Sequence, residues 1–419
     1  MPDSLPINRN TPMTIRRFLS QTVRLNHCWS IGVLSLFLTA GCKEETKSKS
    51  GLEIISVDLS QSRSGKLSEF FEPHIEYIWL EDKEDEAHLT SGLQEIHFYQ
   101  NRIFTLDIFG CKCIQIFDKS GKYLARIKAY GEGPGEYLDF DAAAFVDGEL
   151  VLLGVFPRKI MWFNLDGEFL RELSFRERLG PGVFSDHDQR YYLYTPTREP
   201  DGYFVKSFDK SLQDEMNYFP YDPERFYFED SGRDYFKKSQ DHLYYGMTFW
   251  DTIYQVEDGH FIPKLAFDFG KYGQNPDDLK NMDDIMQRLD FLNNQTKMYF
   301  YSRYFLTEKQ LYTVLTYENK GYSLFFDREN QKSHVIKGRL LNDIDGGYDP
   351  EGFAYNFTPR KIGLKVPGKT LYKELLEKKE AMGRAEFETW AKNQGLNFTT
   401  TVLAAKDSEN PVLMVYTQK

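Results

Sequence analysis

The chain has 419 residues, 16% of them aromatic, and a formal net charge of −11 from 63 acidic and 52 basic side chains. No basic stripe interrupts that acidic balance, so nucleic acid is excluded as a partner on electrostatic grounds. The length allows one large repeat domain or two to three ordinary ones, and the high share of rings suits a fold of many short strands.

In chain order, Arg16, Arg17 and Arg24 precede the apolar run Trp29–Leu38. That run is too short to cross a bilayer comfortably and has the layout of a secretory signal. It ends in Leu38-Thr-Ala-Gly-Cys42, which resembles a bacterial lipobox. The expectation is a signal peptide over residues 1–41 and a lipidated Cys42, with Met13 as an alternative start. Residues 42–70 read as a flexible tether, polar where it begins. Lys43-Glu44-Glu45 resembles the signal that sends some Gram-negative lipoproteins to the outer face of the outer membrane, although a merely solvated tether fits the same residues.

The rest of the chain follows a repeat. Phe117-Asp-Lys-Ser-Gly-Lys-Tyr-Leu-Ala-Arg-Ile127 returns as Phe163-Asn-Leu-Asp-Gly-Glu-Phe-Leu-Arg-Glu-Leu173, an offset of 46 residues. Weaker copies start at Phe208, Tyr254 and Phe326, the last after a longer interval of 72 residues. A period in the forties points to a propeller or a solenoid, and each copy reads as strand, tight turn, strand. Gln94–Tyr99, Arg102–Asp107, Ile114–Phe117 and Tyr123–Ile127 make one four-stranded blade, and the plan recurs in four further blades.

Ile75–Leu80 alternates like a strand without belonging to a repeat, and Asn410–Tyr416 resembles a third strand that lacks a fourth. Pairing the two ends gives a sixth blade and removes open sheet edges. The predicted fold is therefore an all-β, six-bladed propeller over residues 71–419. Helical spacing of apolar residues at 277–293 and 370–393 predicts two insertions, read as caps packed against the disc.

With these residues in view, the chain resembles the six-bladed propeller lipoproteins, related to NHL-repeat propellers, of gut-type Gram-negative bacteria. The likeness rests on Arg102–Asp107, Ile116–Leu124, Tyr130-Gly-Glu-Gly-Pro-Gly-Glu-Tyr137, Asn342–Gly347 and Asn410–Leu413. It implies the fold and assigns no activity.

Several stretches bear on chemistry. Gly131–Glu136 lacks the Lys-Ser/Thr of a phosphate loop and reads as a sharp connection between blades. Asp343, Asp345, Asp349 and Glu351 form an oxygen-rich loop of the kind Ca²⁺ uses, without EF-hand spacing; acidic turns of this type also occur with no metal, and no other cofactor is expected. Cys111 and Cys113 sit two apart on a predicted strand, where a mutual disulfide would be too rigid, so they read as ordinary strand residues, with a metal or redox pair as the alternative. His187, His242, His260 and His334 share no register. Tyr194, Tyr203, Phe249, Trp250 and Tyr317 are candidates for an aromatic rim around the channel, the alternative being packing between blades. The expected function is a membrane-anchored binding or scaffold module for a glycan, a peptide or a partner lipoprotein. The alternative is a lyase or glycoside hydrolase with a central-channel site.

Overall fold

The computed structural model describes residues 51–419 apart from 91–92, 176–178, 196, 198–200, 224–234, 240, 280–283, 285, 288–289, 292–293 and 295. Cys42 and the predicted signal segment lie outside the described residues, as does much of the predicted helix at 277–293.

Two strands precede the first blade: β1 (Glu53–Ser56) and β2 (Phe71–Trp79), with a short helix α1 (Leu67–Phe70) between them. Blade one comprises β3 (Leu93–Tyr99), β4 (Arg102–Asp107), β5 (Cys113–Asp118) and β6 (Tyr123–Ile127). Blade two holds β7 (Asp139–Val146), β8 (Glu149–Phe156), β9 (Lys159–Phe163) and β10 (Phe169–Ser174). Blade three holds β11 (Gly182–Ser185), β12 (Arg190–Tyr194), β13 (Tyr203–Asp209) and β14 (Met216–Pro220). In blade four are β15 (Phe236–Ser239), β16 (His242–Gly246), β17 (Thr252–Glu257) and β18 (His260–Asp268). Blade five is β19 (Tyr304–Leu306), β20 (Gln310–Tyr317), β21 (Lys320–Asp327) and β22 (Lys332–Lys337). Blade six begins with β23 (Tyr355–Thr358) and β24 (Lys361–Pro367), leaves the sheet for α2 (Gly368–Met382), α3 (Arg384–Lys392) and α4 (Leu396–Ala404), and resumes in β25 (Pro411–Gln418).

The sheet order β23-β24-β25-β2 closes the ring through the two ends of the chain. β25 pairs with β24 from Lys361↔Thr417 to Pro367↔Pro411 and with β2 from Ile75↔Tyr416 to Trp79↔Val412. β23 touches β3, β7 touches β11, β11 touches β15 and β15 touches β19 around the axis, and six apolar clusters fill the six interfaces between blades. Both faces of a blade are therefore covered. This is why middle strands such as Arg102–Asp107 and Cys113–Asp118 read as near-continuous buried runs rather than as a strict alternation.

The repeated motif is the hairpin between third and fourth strands. The Asp118 carboxylate accepts from Ser120 N at 2.8 Å, and Gly121 turns the chain at φ +91°; Asn164 and Gly167, also at φ +91°, repeat the device. In blade three Leu212 takes the glycine's place at φ +60°, and Asp209 holds the turn by accepting from Gln213 N at 2.8 Å.

Three expectations are corrected. Residues 53–70 are not tether: β1 adds a fifth, parallel strand to blade four, and the following chain bridges to blade five at Arg63↔Ile336 and to the connection after it at Lys66↔Leu341. Ile55, Leu67 and Phe70 are buried there, and Arg328 grips Glu53 through two hydrogen bonds of 2.6 and 3.0 Å. The helix predicted at 370–393 is the first two helices of a three-helix insertion, broken at Gly383, whose φ of +76° no helix interior tolerates. Its buried face is Leu371, Leu375 and Trp390, while Leu376 is exposed. Finally, Cys111 and Cys113 are joined in a disulfide with Cα atoms 5.2 Å apart. Cys111 lies in the turn before β5, and the intervening Lys112 at φ +50° bends the backbone enough for the pair to meet.

Candidate functional site

The connections between blades and the turns between second and third strands gather on one face of the disc. All the insertions lie there, including α2–α4 in the second turn of blade six. At the centre of that face the inner strands surround three adjoining cavities. One, of about 280 Å³, is walled by Leu93–His97, Lys237, Arg303 and Ala354–Asn356. A second, of about 310 Å³, shares Arg303 and Ala354 with it and runs outward past Tyr299, Tyr301, Val314 and Thr316. The third, of about 380 Å³, shares Glu95, His97, Lys237 and Asn356 and continues toward the opposite face beside Ala142–Phe145 and Pro181–Phe184. Each is near the lower end of ligand-pocket sizes, and the residues they share make them neighbours along the central channel.

Its chemistry comes from single residues of distant repeats. On β3 the Glu95 carboxylate meets His97 Nε2 at 2.9 Å. Lys237 on β15 is only 5% exposed, with its ammonium 5.6 Å from the Phe305 ring and 5.9 Å from Tyr304. Arg303, just before β19, is exposed, its guanidinium 5.8 Å from the Tyr301 ring. Behind the wall Lys365 donates to the Leu93 carbonyl at 3.1 Å and lies 5.7 Å over the Tyr355 ring. Burial pulls its ammonium below the ordinary lysine range, against the opposing charge of Asp107. The side-chain oxygen of Asn356 is buried and meets no donor among the described residues. Toward the far face Asp186 pairs with Lys238 at 2.9 Å.

None of the residues expected to form an aromatic rim lines these cavities. Tyr194 and Trp250 are buried in the cluster between blades three and four. Phe249 is buried as well, stacked at 4.1 Å on Tyr299, so it backs a ring of the wall without reaching the channel. Tyr203 is half-buried on β13, and Tyr317 is half-buried edge-on to Tyr272 with ring centres 5.4 Å apart. Tyr194 and Trp250 thus pack between blades, because a blade interface is the nearest dry surface. The residues that do face the channel, Glu95, His97, Lys237, Arg303 and Asn356, share no motif. For Glu95 and His97 the signal available was a polar side chain inside the predicted strand Gln94–Tyr99; no predicted strand covered Lys237, Arg303 or Asn356.

The carboxylates of the acidic loop are engaged by protein donors. Asp343 accepts from Ser68 N and Oγ at 3.0 and 2.6 Å, Asp345 from Tyr77 Oη at 2.8 Å and Gly347 N at 2.9 Å, and Asp349 from Asn342 N at 2.7 Å. Glu351 faces Arg339 instead. Burial pushes the Asp343 carboxyl up, but the Ser68 hydrogen bonds outweigh it and hold it below the usual range. Asp343 and Asp345 tie this connection between blades five and six to α1 and β2, and among the described residues no group of three or more His, Cys, Asp or Glu is placed to hold a metal ion.

The family model DUF4934, a domain of unknown function, matches residues 52–417. The chain belongs to the DUF4934 family. This DUF4934 propeller is similar in structure to a protein of Bacteroides fragilis named as a candidate exported protein, with a TM-score of 0.65 and 15% identity over 88% of this chain and 99% of that one. A DUF4221 family member from Bacteroides vulgatus aligns with a TM-score of 0.49 and 12% identity over 83% of this chain and 97% of that one. No curated protein matches the DUF4934 chain. At such identities the likeness speaks to the fold alone.

Proposed function

We propose that this chain is a lipid-anchored, non-enzymatic binding propeller of the outer membrane, kin to NHL-repeat propellers, which holds a polar ligand in its central channel. The ligand is a glycan, a peptide or a segment of a partner lipoprotein. The observation that carries the reading is the channel wall, where Glu95, His97, Lys237, Arg303 and Tyr355 arrive from four blades around one continuous cavity. The carboxylates lining it, Glu95 and Asp186, are each engaged by a neighbouring base, an arrangement unlike the paired acid and base of a glycoside hydrolase. A second reading rests on the Glu95–His97 couple, which has the form of an oriented general base for a lyase or hydrolase. Incubating the chain with a panel of oligosaccharides and short peptides separates the two. Retention of an unaltered compound, lost in Ala354→Trp at an unchanged melting temperature, is the expected result. Cleaved product that disappears in His97→Ala would replace the first reading by the second.

Envelope location is supported by the basic and apolar segment before Cys42 and by the Cys111–Cys113 disulfide, which suits an oxidising compartment. Cys42→Ser is expected to move the protein from the membrane pellet to the soluble fraction, since one covalent lipid modification with several chains gives stable anchoring. Persistence in the pellet with an uncut N-terminus would contradict the anchor.

A further inference from the structure

We infer that the channel selects an acidic saccharide, whose carboxylate lies against Arg303 at the mouth while its hydroxyls and ring faces meet the polar and tyrosine wall; the inference rests on the channel-binding reading above. The starting point is charge. In a chain of net charge −11, arginines around the ring are tied to carboxylates: Arg102 to Asp166, Arg126 to Glu86, Arg171 to Glu149, Arg190 to Asp214 and Arg328 to Glu53. Arg303 has no carboxylate partner among the described residues, although it stands where two cavities meet. The 280 Å³ cavity is also lined by Lys237, and the one carboxylate in its lining, Glu95, meets His97. Field lines are concentrated in a low-dielectric channel, and a guanidinium offers a carboxylate two parallel hydrogen bonds.

The rest of the wall argues for a sugar acid over a bare anion. The two cavities flanking Arg303, of about 280 and 310 Å³, are larger than an inorganic anion needs. Tyr301, its ring 5.8 Å from the Arg303 guanidinium, and Tyr355, which has Lys365 over one face, add ring surface to the lining, a usual platform for a saccharide ring. Thr316 and Asn356 supply polar atoms, and the unsatisfied oxygen of Asn356 would accept from a hydroxyl after a small shift of its amide.

The test is a set of matched acidic and neutral trisaccharides, of galacturonate with galactose, glucuronate with glucose and mannuronate with mannose, titrated into the full chain alongside the short peptides of the panel. At least one acidic member is expected to bind more tightly than its neutral match, with an affinity that weakens as salt rises. Arg303→Ala should lower that affinity roughly tenfold to a hundredfold, the range for a lost hydrogen bond to a charged group, with an unchanged melting temperature because the side chain is exposed. Arg303→Lys should recover part of it, since the charge returns without the fork. Equal binding of neutral and acidic members, or retention of peptides alone, overturns the acidic-saccharide inference and leaves the channel reading standing if Ala354→Trp abolishes that binding. Silence of every saccharide and peptide sinks both.

Discussion

A chain truncated after Asn410 is expected to be recovered as aggregate, with no cooperative unfolding transition. The deletion takes away β25, the third strand of blade six, whose Val412, Leu413, Met414, Val415 and Tyr416 are all essentially without solvent contact. At roughly 1.5–3 kcal/mol for each buried apolar side chain, five of them are worth on the order of 10 kcal/mol. That equals the whole stability of an ordinary domain, about 5–15 kcal/mol. The loss is compounded by geometry. β25 hydrogen-bonds to β24 on one side and β2 on the other, so its absence bares two edges and opens two of the six interface clusters at once. Recovery of a soluble, monomeric truncation with the melting curve of the full chain would contradict closure through the ends.

Trp250→Ala is the second large effect, expected to cost about 3–5 kcal/mol, the range for removing a buried tryptophan side chain from a core. Trp250 is 3% exposed and fills the wedge between blades three and four, with ring centres of Phe219, Phe204 and Tyr245 at 5.3, 6.2 and 6.4 Å. Blades three and four meet almost wholly through such rings, so little else can collapse into the void. Denaturant titration gives the loss directly, and ligand retention by the fraction still folded should equal that of the parent chain. A variant of parental stability that no longer binds would return Trp250 to the ligand site.

Five blades and the closure were legible because their marks are local. The turn formed by Asp118 and Gly121 needs a short polar acceptor and a residue at positive φ a few positions apart, and that requirement writes the same letters into Asn164 and Gly167. Blade six was legible only at its outer half. Its inner strands, Tyr355–Thr358 and Lys361–Pro367, are separated from β25 by the whole of α2–α4, so no period connects them. β1 was missed because four residues with one fully buried side chain, Ile55, are too few to show a pattern, and its stability comes from pairing with β18 and from Arg328. The disulfide was misjudged because strand geometry was assumed for Cys111, which stands in a turn. The channel residues left no trace of another kind: they come one or two at a time from four blades, brought together by a rotation about the axis that sequence spacing does not encode.

The claim that the channel is the binding site is tested most directly by hydrogen exchange of the full chain, with and without whichever compound of the panel it retains. The expected result is slowed exchange at Leu93–Tyr99, at Arg303–Leu306 and at Ala354–Thr358, the backbone that frames Arg303 and Glu95, with β10 and β14 on the outer rim unchanged. Protection confined to α2–α4 or to the outer strands, with those inner segments exchanging as before, would place the ligand elsewhere and contradict the account.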